Sequence, residues 1–191
     1  FNISTSGNYV SSHVFLRLIK NQVQGGFFSY DADALKAKLL HNPWVKTVHI
    51  RRVFPDSLNV VIQERQPVAV WNKKAILTHS GAVFYPREMS KLDFPRFAGG
   101  FDSRYIILNE YKLISQQLLP LKLKVSSLSL SERKAWMLTL SNGISINVGR
   151  GEVVDKIKRF VLAYPHLKNA NLRVGAVDLR YPNGFAVKWV L

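Results

Sequence analysis

Residues 41–71, HNPWVKTVHIRRVFPDSLNVVIQERQPVAVW, restrict this chain more than any other stretch. A run of apolar and β-branched residues follows Pro43: Trp44, Val45, Val48, Ile50 and Val53. After Phe54-Pro55-Asp56-Ser57, Leu58, Val60 and Ile62 alternate with Asn59 and Gln63. Successive side chains of a strand point to opposite faces, and Pro and Asp favour chain reversal, so this pattern predicts a β-hairpin. Pro67 comes next, and Val68-Ala69-Val70-Trp71 opens a new strand at once. The hairpin therefore closes one small domain, residues 1–65, and a second, residues 66–191, begins with almost no linker.

Ahead of the hairpin, Phe1–Ser4 fit a short strand. Val14, Phe15, Leu18 and Ile19 fall at helical spacing behind a Ser11 or Ser12 cap, with Gly25-Gly26 as the stop. Asp31 caps a second helix with Leu35, Leu39 and Leu40 on one face, ended by Asn42-Pro43. The order β-α-α-β-β predicts two helices over one face of a three-stranded sheet.

The second part reads mostly as strands. Val68–Trp71 and Ala75–Thr78 flank Asn72-Lys73-Lys74, and Ser80-Gly81 leads into Ala82–Tyr85. Pro86, Pro95 and Gly99-Gly100 mark irregular connections. Ser103 caps a helix with Ile107, Leu108, Tyr111, Ile114 and Leu118 inward, stopped at Pro120. Strands follow at Leu123–Leu130, Arg133–Leu140 and Ile144–Val148, the last two joined by the hairpin signal Asn142-Gly143. A helix over residues 153–164 carries Val154, Ile157, Val161 and Tyr164 inward. Lys156, Lys158 and Arg159 face away, and Asp155 and Arg159 are at ion-pair spacing. Val174–Tyr181, a Pro182-Asn183-Gly184 turn and Phe185–Leu191 close the chain. The fold class is α+β, the second domain being mainly antiparallel β with flanking helices.

Several chemistries find no support. With no Cys, the chain has no disulfide, thiolate metal site or Cys nucleophile. His13, His41, His49, His79 and His166 stand near no carboxylate at ligand spacing, and no metal or other cofactor is expected. There is no G-x-S-x-G elbow, and the eight acidic residues of the second part form no evident carboxylate pair. Gly149-Arg150-Gly151 lacks the third glycine and the Lys-Ser/Thr of a phosphate loop, and reads as a tight strand-to-helix turn. No enzyme is expected. Residues 1–65 carry 8 basic and 4 acidic groups, residues 66–191 carry 19 and 8. Such an excess favours an anionic partner: nucleic acid, lipid headgroups or an acidic protein surface. Most aromatics stand at core positions rather than among the basic residues, and no RNA-recognition signature occurs, so nucleic acid is not the expected partner. No apolar run reaches the ~18 residues that a bilayer span requires.

Pro43-Trp44-Val45, Arg51-Arg52, Phe54-Pro55-Asp56 and the strand Leu58 to Glu64 resemble the last hairpin of a POTRA domain, a polypeptide-transport-associated module. Pro67 to Trp71, Arg133, Trp136 to Leu140, Val148 to Gly151, Arg159-Phe160-Val161, Tyr164-Pro165 and Val177 to Tyr181 are similar, in order, to the second domain of the bacterial division family FtsQ, called DivIB in some species. The POTRA hairpin is shared with secretion and outer-membrane assembly systems, which remain the alternative. The second-domain runs point to the division family.

The resemblance implies a non-enzymatic scaffold of the division complex. An N-terminal helix absent from this stretch would anchor it in the inner membrane, with its bulk periplasmic and concentrated at the septum. It further implies that the POTRA domain meets FtsK, and that the second domain binds FtsB and FtsL, the FtsB segment adding a strand to the C-terminal sheet edge. Carried over by motif, the partner-binding residues are Arg133, Arg180, Tyr181, Gly184, Phe185, Lys188 and Trp189. Lys188 replaces a small residue usual in the family.

Overall fold

The computed structural model describes residues 2–7, 9–22, 31–55, 57–87, 93–167 and 172–190. It divides into two compact units, Phe1–Pro67 with Phe84–Ser90, and Val68–Val83 with Lys91–Leu191. The first holds strand β1 (Asn2–Thr5), helices α1 (Ser12–Gln22) and α2 (Ala32–Leu40), and strands β2 (Val45–Val53) and β3 (Ser57–Glu64). Their sheet order is β1-β3-β2, with β1 parallel and β2 antiparallel to β3. Asp31 caps α2 as its sequence position predicts: its carboxylate accepts from the N–H groups of Asp33 (2.9 Å) and Ala34 (3.1 Å). Phe15, Ile19, Leu35 and Leu39 meet Val45, Val48, Leu58, Val60 and Ile62 in one core. Val45 and Val48 are three residues apart yet both buried, because the register slips between Val45 and Thr47. Leu40, expected on the inner face of α2, is 41% exposed, since at 3.6 residues per turn it lies about 100° round from Leu39. The Gly25-Gly26 stop and Asp56 of the hairpin turn lie outside the described residues.

The second unit is built on a nine-stranded sheet. Its strands are β4 (Pro67–Trp71), β5 (Ala75–Thr78), β6 (Val83–Phe84), β7 (Arg96–Ala98), β8 (Val125–Leu130), β9 (Trp136–Leu140), β10 (Ser145–Gly149), β11 (Arg173–Asp178) and β12 (Ala186–Val190). Their order is β12-β11-β10-β9-β8-β7-β4-β5-β6. Ala82–Tyr85 shortens to Val83–Phe84. Asn72 and Lys73 both take positive φ in the tight turn between β4 and β5, where the Lys74 N–H bonds the Trp71 carbonyl at 3.2 Å. The sequence reading missed β7, read there as an irregular connection. Three residues carry no period, and β7 forms because it is held in parallel by both β4 and β8.

Two helices cross over between parallel neighbours: α3 (Arg104–Leu118) joins β7 to β8, and α4 (Val153–Ala163) joins β10 to β11. The antiparallel steps β8/β9 and β9/β10 leave β7, β8, β10 and β11 pointing one way, and both crossovers step in the same direction along the sheet. Right-handed crossovers then put both helices on one face, and α3 and α4 do touch. Beneath them Phe97, Leu128, Leu138, Ile146 and Val177 form a buried row across five strands. Ser103 stands at the N-cap of α3 but makes no capping bond; its hydroxyl donates instead to the Gly100 carbonyl at 2.6 Å.

On α4 the buried side is Val153, Ile157 and Phe160, with Val154, Val161 and Tyr164 at its margin, so the face is rotated by one residue from the expected one. Nor does Asp155 pair with Arg159. Its carboxylate lies 3.5 Å from Lys158, and Arg159 is drawn to backbone carbonyls elsewhere. Lys156 likewise turns back, donating to the carbonyls of Val148 (3.0 Å) and Arg150 (2.5 Å).

Candidate partner-docking edge

β12 is the last strand of the large sheet. It pairs antiparallel with β11, Val174 opposite Trp189, Ala176 opposite Lys188 and Asp178 opposite Ala186, and among the described residues no strand lies on its outer side. Alternation divides its side chains. Val187, opposite the buried Val177, shares the helix-covered face with Trp189, both half-buried, while Ala186, Lys188 and Val190 are exposed on the open face. Phe185 packs against the core. Gly175 accommodates the strand where the β11/β12 register slips: a Cβ there would come within 2.7 Å of the Val190 side chain.

Ahead of β12 the chain turns through residues 181–184. Tyr181 is 54% exposed and Gly184 half-buried. The guanidinium of Arg159 on α4 donates to the carbonyls of Pro182 (2.5 Å) and Tyr181 (3.4 Å), tying the turn to the helix. Arg180 lies just before it. Its Nε contacts Asp178 Oδ1 and Oδ2 at 2.9 and 3.0 Å, its NH2 reaches Oδ2 at 2.6 Å, and its backbone N–H donates to Oδ1 at 3.1 Å. The guanidinium hydrogen bond holds the Asp178 carboxyl below its usual range, against a smaller opposing effect of burial, and the same bond raises Arg180. Part of the Arg180 fork is therefore engaged within the chain. Its stem crosses Gly149, which has a φ of +71° and where a Cβ would stand 2.7 Å from the Arg180 Cγ.

Arg133 is not on a strand, as expected, but in the exposed turn between β8 and β9. The turn closes with the Lys134 N–H bonded to the Ser131 carbonyl at 2.9 Å and Lys134 at φ +60°, so pairing stops at Leu130 opposite Trp136. That turn, Gly149 and the 181–184 turn all lie at the end of the sheet where β8, β10 and β11 finish. Arg133 is thus at the same end as Tyr181, three strands across from β12, or roughly 14 Å at ~4.8 Å per strand. The structure brings Arg180, Tyr181, Gly184, Phe185, Lys188 and Trp189 onto one edge and its adjoining turn; Arg133 stands apart.

Against known proteins, the family model for the POTRA domain, FtsQ-type, matches residues 2–65, and that for the cell division protein FtsQ/DivIB, C-terminal, matches residues 69–180. The chain belongs to the FtsQ/DivIB family. Among its relatives, the cell division protein FtsQ of Coxiella burnetii is 36% identical over 189 residues, covering 98% of this chain and 78% of that protein. The FtsQ of Actinobacillus pleuropneumoniae is 38% identical over 165 residues, 85% of this chain and 72% of that one. The FtsQ of Cellvibrio japonicus is 36% identical over 175 residues, 91% of this chain and 54% of that protein. Membership gives the chain a role in cell division. The FtsQ/DivIB match ends at Arg180, so the turn and β12 lie past the matched span.

The sequence reading missed Arg159, Asp178 and Gly149 as parts of this region. Arg159 had looked like one more solvated helical cation, and its carbonyl partners lie 22 and 23 residues away.

Proposed function

We propose that this FtsQ/DivIB chain is a non-enzymatic scaffold that docks an extended segment of a division partner, of the FtsB/FtsL type, along the outer side of β12. The observation that carries the proposal is the edge itself. β12 ends the sheet with one row of backbone N–H and C=O groups directed outward, and an added strand pairs them through main-chain hydrogen bonds. Side chains flanking the edge then supply selectivity: Trp189 and Phe185 on one face, Lys188 on the other, and Tyr181 with the unused donors of Arg180 at the turn. A basic rim of Arg180, Lys188 and, farther off, Arg133 suits a partner carrying carboxylates. In the same proposal the first unit receives FtsK, and an upstream helix holds the protein in the inner membrane with these units periplasmic at the septum. Among the described residues no helix is long and apolar enough to cross a membrane.

Titration calorimetry with a soluble FtsB–FtsL-type fragment tests the edge. Tyr181→Ala and Trp189→Ala should each weaken binding by about 2 kcal/mol, roughly thirtyfold, as exposed or half-buried aromatic anchors do, with an unchanged circular dichroism spectrum. Full affinity in the folded double variant would remove this edge from the interface.

A further inference from the structure

The hairpin of the first unit runs on past its core. Leu58 on β3 is buried, but Arg52 opposite it is exposed, and so are Arg51, Val53, Phe54 and Pro55. Phe54 is 88% and Val53 43% exposed. The tip therefore projects about 7 Å along the strand beyond the last core row, two residues at ~3.3 Å each, and it carries its largest apolar side chain almost wholly in water. One exposed apolar residue is ordinary. Here a phenylalanine and a valine stand at the end of a protrusion with the exposed Arg51 just behind them.

That arrangement suits a lipid surface better than a protein. A stable protein interface buries on the order of 1,000 Å² or more, which a tip of a few residues does not offer unless its partner wraps round it. A bilayer closes round a protrusion without needing a complementary shape. Aromatic and aliphatic side chains sink into the boundary between headgroups and acyl chains, and arginines just behind them reach the phosphates. Residues 51–56 carry a net charge of +1 in sequence, within a first domain that is itself basic.

We propose that the Arg51–Pro55 tip seats on an anionic bilayer surface, Phe54 and Val53 entering the headgroup boundary and Arg51 meeting lipid phosphates. This goes beyond the edge docking at β12 and does not rest on it. The test is co-sedimentation of the full chain with phosphatidylglycerol–phosphatidylethanolamine vesicles at physiological salt. The second unit's basic surface contributes charge attraction of its own, so the decisive comparisons are between variants. Phe54→Ser changes no charge and should lower partitioning roughly tenfold, the lower end for withdrawing a buried Phe from an apolar phase. Arg51→Glu should lower it more than Lys73→Glu, the same charge change at the exposed turn between β4 and β5. Phe54→Ser should keep its circular dichroism spectrum and its partner affinity at β12. Partitioning of folded Phe54→Ser equal to the parent, or equal losses in the two charge-reversal variants, would overturn the proposal. So would a dimer seen in sedimentation velocity that Phe54→Ser dissolves, which would assign the tip to a second copy of the chain.

Discussion

Arg180 and Asp178 show how a surface residue is set by its own chain. The guanidinium grips the carboxylate two residues back, so it is held at the mouth of the 181–184 turn with its remaining donors free to point outward. A carboxyl lowered in the folded chain adds stability that is fully present above its unfolded value and is lost as pH falls through the folded one. The window for Asp178 therefore opens below its ordinary 3.8 and extends downward. NMR titration of the Asp178 carboxyl should give a midpoint below 3.8, and Arg180→Gln should bring it back toward that value. Gly149 is the second residue with a defined demand. Its φ of +71° and the Arg180 stem 2.7 Å from a would-be Cβ both exclude a side chain. Gly149→Ala should cost about 1–2 kcal/mol in a denaturant or thermal melt, from left-handed strain plus displacement of Arg180.

At the level of elements, the proposed docking edge depends on α4 as much as on β12. Arg159 reaches from the helix to the Tyr181 and Pro182 carbonyls and so fixes the angle at which the chain enters the edge strand. Hydrogen bonds from a charged donor contribute more than neutral ones, so Arg159→Ala should cost about 1–2 kcal/mol. It should also speed amide exchange over residues 183–186 without disturbing the α4 core residues Ile157 and Phe160. Hydrogen-exchange mass spectrometry reads both. An edge strand pinned in this way gives up less freedom when a partner strand is added, which favours affinity. The open-face Lys188 also blunts the edge against pairing with other copies.

The molecule as a whole has two separate apolar cores, one under α1 and α2 and one under α3 and α4. Damage to one should leave the other's function standing. Leu39→Ala, at a fully buried site in the first core, should destabilise that unit by about 2–4 kcal/mol. Calorimetric affinity for an FtsB–FtsL-type fragment at β12 should remain as in the parent below the melting temperature of the first unit. The charge belongs to this scale as well. At +15 formal charge the chain attracts anionic surfaces generally, and selectivity has to come from local arrangements such as the turn beside β12.

By itself the sequence determined the elements of this protein: the hairpin of residues 45–64, the α2 cap at Asp31 and the two long helices of the second unit within a residue or two. Those signals are local, because strand alternation, helical spacing, caps and turns act between residues a few positions apart. Tertiary structure alone decided the pairing. Only it made a strand of Arg96–Ala98, set β10 parallel to β11, moved Arg133 off its expected strand into a turn, and turned Arg159 from its expected partner Asp155 to the Tyr181 and Pro182 carbonyls. Each of these depends on contacts between segments far apart in the chain, where neither residue type nor spacing carries the partner's identity. That β12 lies at an edge is a fact of the same kind, for an edge exists only once every other strand has found its neighbours.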